Sequence, residues 1–155
     1  MINGKGKEYD YHGKLKFEGE YLSGVRNGKG KEYDLNGNLK FEGEYLFGKK
    51  WNGKGYDGQY NIIYELIKGT GKVKEYYNNG ELEFEGEYLN GKKWNGIMHV
   101  YHKHDQFKGE IKNGEINGKG KEYYNDGRLI FEGEYLNGKN GMEKDMMIII
   151  KLYMN

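Results

Sequence analysis

Along residues 15–22, apolar or glycine positions alternate with charged ones. Leu15, Phe17, Gly19 and Tyr21 fall on one side, and Lys16, Glu18 and Glu20 on the other. A period of two is that of a β-strand with one buried face. The phrase Phe-Glu-Gly-Glu-Tyr-Leu returns at 41–46, 84–89 and 131–136, with Phe107-Lys108-Gly109-Glu110-Ile111-Lys112 as a worn copy. The anchors Phe17, Phe41, Tyr64, Phe84, Phe107 and Phe131 are spaced 24, 23, 20, 23 and 24 positions apart, which marks an array of stacked units. Each phrase is followed by a second strand pattern, as in Lys29-Gly30-Lys31-Glu32-Tyr33. A loop is expected over Ser23-Gly24-Val25-Arg26-Asn27-Gly28, with Asn-Gly as its strong turn signal, as at Asn52-Gly53 and Asn95-Gly96, and Asp34-Leu35-Asn36-Gly37 leading into the next unit. The pattern predicts an all-β chain, an elongated single-layer antiparallel meander of about six stacked β-hairpin repeats.

The array is expected over 1–141, with a partial unit at 1–16, units at 17–40, 41–63, 64–83, 84–106 and 107–130, and a partial unit at 131–141. The segment 64–83 lacks most of the loop and reads as an abbreviated hairpin within the same sheet. Trp51 and Trp94 read as insertions that lengthen their loops by one residue. Residues 142–155 end in Met146-Met147-Ile148-Ile149-Ile150-Lys151-Leu152-Tyr153-Met154, an atypical tail. It is either a cap over the last sheet edge or a frame-shifted or truncated end. Glycines inside strands cost packing, so Gly19, Gly28 and Gly30 are expected to leave room for aromatic rings.

Composition adds 27 glycines and 16 tyrosines with no proline or cysteine, which suits short aromatic strands joined by tight turns and excludes disulfides and thiolate metal sites. The formal charge of +1 leaves no global field favouring nucleic acid, and no nucleic-acid partner is expected. Residues 1–7 lack the apolar core of a secretory signal, and no apolar run approaches the ~20 residues of a membrane helix. The expectation is a cytoplasmic protein that is not transmembrane.

The phrase Phe-Glu-Gly-Glu-Tyr-Leu-x-Gly followed by Asn-Gly-Lys-Gly resembles the MORN repeat, including its MORN-variant form. The matching positions are Phe17, Gly19, Tyr21, Gly24, Gly28, Gly30 and Gly37 in one unit and Phe131, Gly133, Tyr135 and Gly138 in the last. Tyr33 and Tyr123 lie three positions after Gly30 and Gly120, where the family usually has two, so a bulge or altered loop is expected there. The resemblance implies twisted hairpin sheets and roles in oligomerisation, protein docking, cytoskeletal scaffolding or contact with membrane lipid. It carries over no single functional residue.

Catalytic chemistry has little material. Ser23 and Thr70 are the only hydroxyl nucleophiles of their kind, both beside loop glycines, so no triad is legible. Gly69-Thr70-Gly71-Lys72 lacks the first glycine and the final Ser/Thr of a phosphate loop and reads as a turn. The repeated pairs Glu18/Glu20 and Glu85/Glu87 read as a solvated face rather than an acid and a base. His102 and His104, with His99 and Asp105 nearby, are weak metal-ligand candidates without a clear third ligand. No enzyme activity and no cofactor are expected.

The aromatic stripe of Phe17, Tyr21, Phe41, Tyr45, Phe84, Tyr88, Phe131 and Tyr135 should be mainly packing. A single layer has no second layer to cover it, so part of it is expected to form a groove for a protein partner or a second copy. The alternative is peripheral attachment to an acidic or phosphoinositide membrane through Lys49, Lys50, Lys92, Lys93 and Lys139, with Trp51 and Trp94 as interfacial anchors.

Overall fold

A computed structural model describes residues 3–101 and 105–137. The chain forms twelve strands in sequence order: β1 (Gly4–Tyr9), β2 (Leu15–Leu22), β3 (Val25–Tyr33), β4 (Leu39–Leu46), β5 (Lys49–Tyr56), β6 (Ile62–Leu66), β7 (Gly71–Tyr76), β8 (Leu82–Leu89), β9 (Lys92–Tyr101), β10 (Asp105–Lys112), β11 (Glu115–Tyr124) and β12 (Leu129–Tyr135). Each pairs antiparallel with its sequence neighbours, as the alternating pattern predicts, but in two six-stranded sheets rather than one: β1 to β6, and β7 to β12.

The division falls in the abbreviated hairpin expected at 64–83. Ile67 and Thr70 exchange both backbone hydrogen bonds, at 3.0 Å each, around the turn Lys68-Gly69. That single bridge is the pairing between β6 and β7, because the segment lacks the long bulged strand that other hairpins zip against. Of the turn expected at Gly69-Thr70-Gly71-Lys72, Gly69 lies in the reversal, Thr70 in the bridge, and Gly71 and Lys72 in β7.

Asn-Gly plays a different part from the one predicted. The reversals at this rim are the two-residue pairs Ser23-Gly24, Phe47-Gly48, Lys68-Gly69, Asn90-Gly91 and Asn113-Gly114. Both residues of each pair have positive φ, as hairpins with the right-handed strand twist require. Asn27-Gly28, Asn52-Gly53 and Asn95-Gly96 lie inside β3, β5 and β9, next to bulges. The Asn side chains clamp the turn of the following unit: Asn27 Oδ1 accepts from the Phe47 N–H at 3.2 Å, Asn52 Oδ1 from Lys68 at 2.7 Å and Asn95 Oδ1 from Asn113 at 3.1 Å. Trp51 and Trp94 do not lengthen a loop. Tyr45 faces Lys50 while Glu44 faces Asn52, which leaves Trp51 as the bulged residue, and Trp94 repeats this between Lys93 and Asn95. The bulges expected near Tyr33 and Tyr123 are present at Glu32/Tyr33 and Glu122/Tyr123, and the same shift recurs at Glu8/Tyr9 and Glu75/Tyr76.

The interior is an aromatic file on one face of the strands. Phe17 and Tyr45 meet edge to face at 5.0 Å between ring centroids, Phe41 and Tyr45 at 5.5 Å, and Phe107 and Tyr135 at 5.3 Å. The rings lie flat because glycine is beneath them. A Cβ on Gly30 would run into the Phe17 ring, and one on Gly55 into the Tyr64 ring. At Gly19 the nearest atoms are the Phe17 ring of its own strand and the Lys29 and Gly30 backbone, not the expected ring of a neighbouring strand.

Candidate functional site

The stripe predicted to offer an open apolar groove is closed. Phe17, Phe41 and Phe84 are 0% exposed, Tyr21, Tyr45, Tyr88 and Tyr135 are buried, and Phe131 is half-buried. Among the described residues no second layer covers the rings, and the sheets cover them with their own charged side chains. The Arg26 guanidinium lies 4.0 Å over the Phe17 ring, Lys50 Nζ 5.2 Å from the Phe41 centroid and Lys93 Nζ 5.5 Å from that of Phe84.

These cations belong to an alternating ladder. Arg26 pairs with Glu8 through Nε to Oε1 at 2.9 Å and reaches Glu32 at 3.6 Å. Lys50 lies 3.8 Å from Glu32 and 3.2 Å from Glu75, and Lys93 lies 3.7 Å from Glu75 and 2.6 Å from Glu83. Tyrosine hydroxyls complete it. Tyr21 donates to Glu8 at 2.7 Å, Tyr45 to Glu32 at 3.1 Å, Tyr88 to Glu75 at 2.9 Å, and Tyr135 to Glu122. Burial pushes the Glu75 carboxyl up, but the Lys50 and Lys93 ammonium groups and the Tyr88 hydroxyl outweigh it and hold Glu75 at about 2. A hydrogen bond from Arg26, against the cost of burial, likewise holds Glu8 at about 2. Burial opposes the charge on Lys50, yet Glu32, Tyr64 and Glu75 raise its affinity for the proton well above the ordinary ammonium value. Glu8, Lys50 and Glu75 are therefore held in their charged forms.

This placement changes the membrane candidates. Lys50 and Lys93 are inside the ladder, Trp51 and Trp94 are half-buried in strands, and only Lys49 and Lys92 of the six stand exposed. Lys139, His102, His104 and the tail at 142–155 lie outside the described residues. His99 is described: its carbonyl accepts from the Tyr77 hydroxyl at 2.8 Å, and burial, then Lys108, lowers its proton affinity.

Sequence reasoning missed Arg26, Glu32, Glu75 and Glu83 as interior groups. A signal was present: a cation two places after the turn glycine (Gly24 to Arg26, Gly48 to Lys50, Gly91 to Lys93) and a Glu before each Tyr at Glu8, Glu32, Glu75 and Glu122. The bulges shift both off the simple alternation, which hid that they share the aromatic side.

The opposite face is polar. Lys7 pairs with Glu18 at 3.1 Å, Lys31 with Glu42 at 3.1 Å, Lys74 with Glu85 at 3.2 Å and Lys121 with Glu132 at 2.9 Å. In the first sheet the rows flank a shallow groove floored by Gly6, Gly19, Gly30 and Gly43. Exposed pairs of this kind add little to stability and make the face soluble.

Two departures from the repeat stand on the rims. Phe47 is 71% exposed with φ 48°, in a turn position held by Ser23, Lys68, Asn90 and Asn113 elsewhere. Tyr60, with φ 63°, stands where Gly13, Gly37, Gly80 and Gly127 stand in the other turns, and its ring is also exposed. A bulky side chain in left-handed backbone is strained, and neither ring gains burial in return.

No curated protein matches the chain. The family model described as the MORN repeat variant matches residues 2–22, 26–46, 70–90 and 116–137. These segments cover more than half the sequence, and each runs from a Lys-Glu-Tyr or corresponding strand through its turn into the next aromatic strand, the same hairpin that Glu8 and Tyr21 tie together. Both the repeated strand register and the matched segments place this chain in the MORN repeat variant family.

Proposed function

We propose that this chain is a non-catalytic scaffold for protein–protein contact, to a partner protein or to a second copy. Repeats of its family are associated with protein or membrane interaction. The observation that carries the reading is Phe47, an aromatic ring held out into solvent at 71% exposure by strained backbone, where the other turns have small or polar residues. A ring exposed at such a cost is suited to anchor a partner, since interface energy concentrates in a few aromatic side chains. The buried aromatic file and its charge ladder serve as a stiff spine that holds the hairpin rims in fixed positions. Among the described residues of the membrane alternative, only Lys49 and Lys92 stay exposed, so protein contact is favoured.

The test replaces Phe47 with a photoreactive phenylalanine and compares crosslinking with the same probe at Phe17. A defined protein crosslinked from position 47 and lost on competition with unlabelled chain supports the scaffold. Sedimentation with phosphoinositide vesicles and no protein crosslink would reverse the preference.

A further inference from the structure

Among the described residues, the first and last strands carry the two halves of the array's own internal joint. Inside the sheets, a Phe-Glu-Gly-Glu-Tyr strand is followed by a Lys-Gly-Lys-Glu-Tyr strand in a fixed register. β2 meets β3 through Phe17 opposite Glu32, Glu18 opposite Lys31 and Gly19 opposite Gly30, and β10 meets β11 through Phe107 opposite Glu122 and Gly109 opposite Gly120. β12 carries the first phrase, Phe131 to Tyr135, and among the described residues pairs only with β11. β1 lies in the second phrase and, among the described residues, pairs only with β2; residues 3–10 are identical, position by position, to residues 27–34.

The outward side chains at both ends are those that an internal joint engages. Phe17 is enclosed because its ring lies over Gly30 of the next strand, whereas Phe131, at the same position of the repeat, is only half-buried. Gly6 occupies the place of Gly30 on β1; the Tyr21 ring lies to one side of it, as Tyr135 does at Gly120, where Phe107 fills the other side. Glu18 takes both an ion pair from Lys7 at 3.1 Å and the Tyr33 hydroxyl at 2.8 Å. Glu132 has the ion pair, from Lys121 at 2.9 Å, and Tyr9, the counterpart of Tyr33, is 57% exposed at the far end.

We propose that copies of this chain join head to tail. β12 of one copy pairs with β1 of the next in the internal register: Phe131 opposite Glu8, Glu132 opposite Lys7 and Gly133 opposite Gly6. The Phe131 ring then covers Gly6, and the Tyr9 hydroxyl donates to Glu132. Charge selects this pairing. Lys7 of β1 faces Glu132 of β12, and Lys5 stands beside Glu134 at the bulge, as Lys29, whose backbone N–H donates to the Glu20 carboxylate, does in the internal joint; two β1 edges would instead set lysine against lysine and two β12 edges glutamate against glutamate. The contact is heterologous, so each added copy presents a fresh end and the product is a linear array. This deepens the self-association branch of the scaffold reading and rests on it.

The test is sedimentation velocity of the full chain across a range of concentrations. The wild type should gain mass stepwise with concentration. The double variants K5E/K7E and E132K/E134K should each associate at least about tenfold more weakly, since like charges then meet along the whole joint, directly at position 7 against 132 and beside the bulge at 5 and 134. A 1:1 mixture of the two should regain association, because each altered edge then meets an altered partner. Far-UV circular dichroism and thermal unfolding establish that both variants fold. A monomeric wild type at several hundred micromolar, or a mixture as weak as its components, overturns the joint. Association that neither variant weakens also overturns it and leaves the scaffold reading standing, while failure of the position 47 crosslink bears on that reading alone.

Discussion

Lys50 on β5 and Glu75 on β7 meet at 3.2 Å across the line where one six-stranded sheet gives way to the other. The backbone ties the sheets there by the Ile67–Thr70 bridge and by two amides, Gly69 N–H to the Trp51 carbonyl at 2.6 Å and Gly91 N–H to the Gly69 carbonyl at 2.8 Å. The ion pair adds a side-chain tie, and Glu75 extends it to Lys93 and the Tyr88 hydroxyl. One buried hydrophobic cluster spans this point, with Tyr64 and Leu66 on one side and Val73 and Phe84 on the other, so the ion pair lies over a shared core.

Glu75→Gln would leave Lys50 and Lys93 with reduced compensation inside the ladder. Breaking a buried pair by removing one partner costs about 3–5 kcal/mol, far more than loss of an exposed pair. Chemical denaturation should show a loss of that order for Glu75→Gln and less than about 1 kcal/mol for Lys74→Gln, whose pair with Glu85 is on the polar face.

Acid should unfold the protein through the same groups. Glu75 is held at about 2 in the folded chain against an ordinary value of 4.5, so its contribution is fully present above pH 4.5 and is lost as pH falls from there towards 2. The shift corresponds to about 3 kcal/mol. Glu8 acts in the same direction and window with a smaller effect, because its side chain is 38% exposed and screened by solvent. Thermal melts from pH 7 to pH 2 should show the midpoint steady to about pH 5 and falling below it, with the fall reduced in Glu75→Gln.

Phe47→Asn should stabilise the fold while removing the exposed ring. Asn tolerates left-handed backbone, as Asn90 and Asn113 do at the equivalent positions, and relief of the strain should add about 0.5–1 kcal/mol. Tyr60→Gly should act in the same direction at the other rim, where the equivalent residues are glycines. Denaturant midpoints of both variants at or above wild type, with Phe47→Asn losing its partner, are the expected pair of results.

Gly30→Ala should cost about 1–3 kcal/mol by overpacking, because its methyl would meet the Phe17 ring on one side and the Glu18 carbonyl on the other. Gly58→Ala is the control. Its φ is not positive, and the nearest atom to an added Cβ is the Asn38 amide nitrogen at 3.8 Å, so stability should hold or rise by about 0.4–1 kcal/mol. Equilibrium unfolding of the two variants side by side distinguishes a packed glycine from an open one.

The alternation of Leu15, Phe17, Gly19 and Tyr21 and its recurrence at a short period were enough to determine strands, their antiparallel neighbours and the side that each ring takes, because a period of two leaves a strand one choice of face. Asn27-Gly28 misled, since the same dipeptide that favours a hairpin turn also suits a bulge, and the actual reversal uses Ser23-Gly24. Burial of the aromatic stripe was decided only in three dimensions. Arg26, Lys50 and Lys93 reach their rings because bulges rotate them onto the aromatic side, and a bulge arises from pairing between strands rather than from the residues of either one. The division into two sheets is likewise tertiary: it depends on how far Ile67 and Thr70 can zip before β6 turns to β5 and β7 to β8, a competition between neighbours that no single segment records.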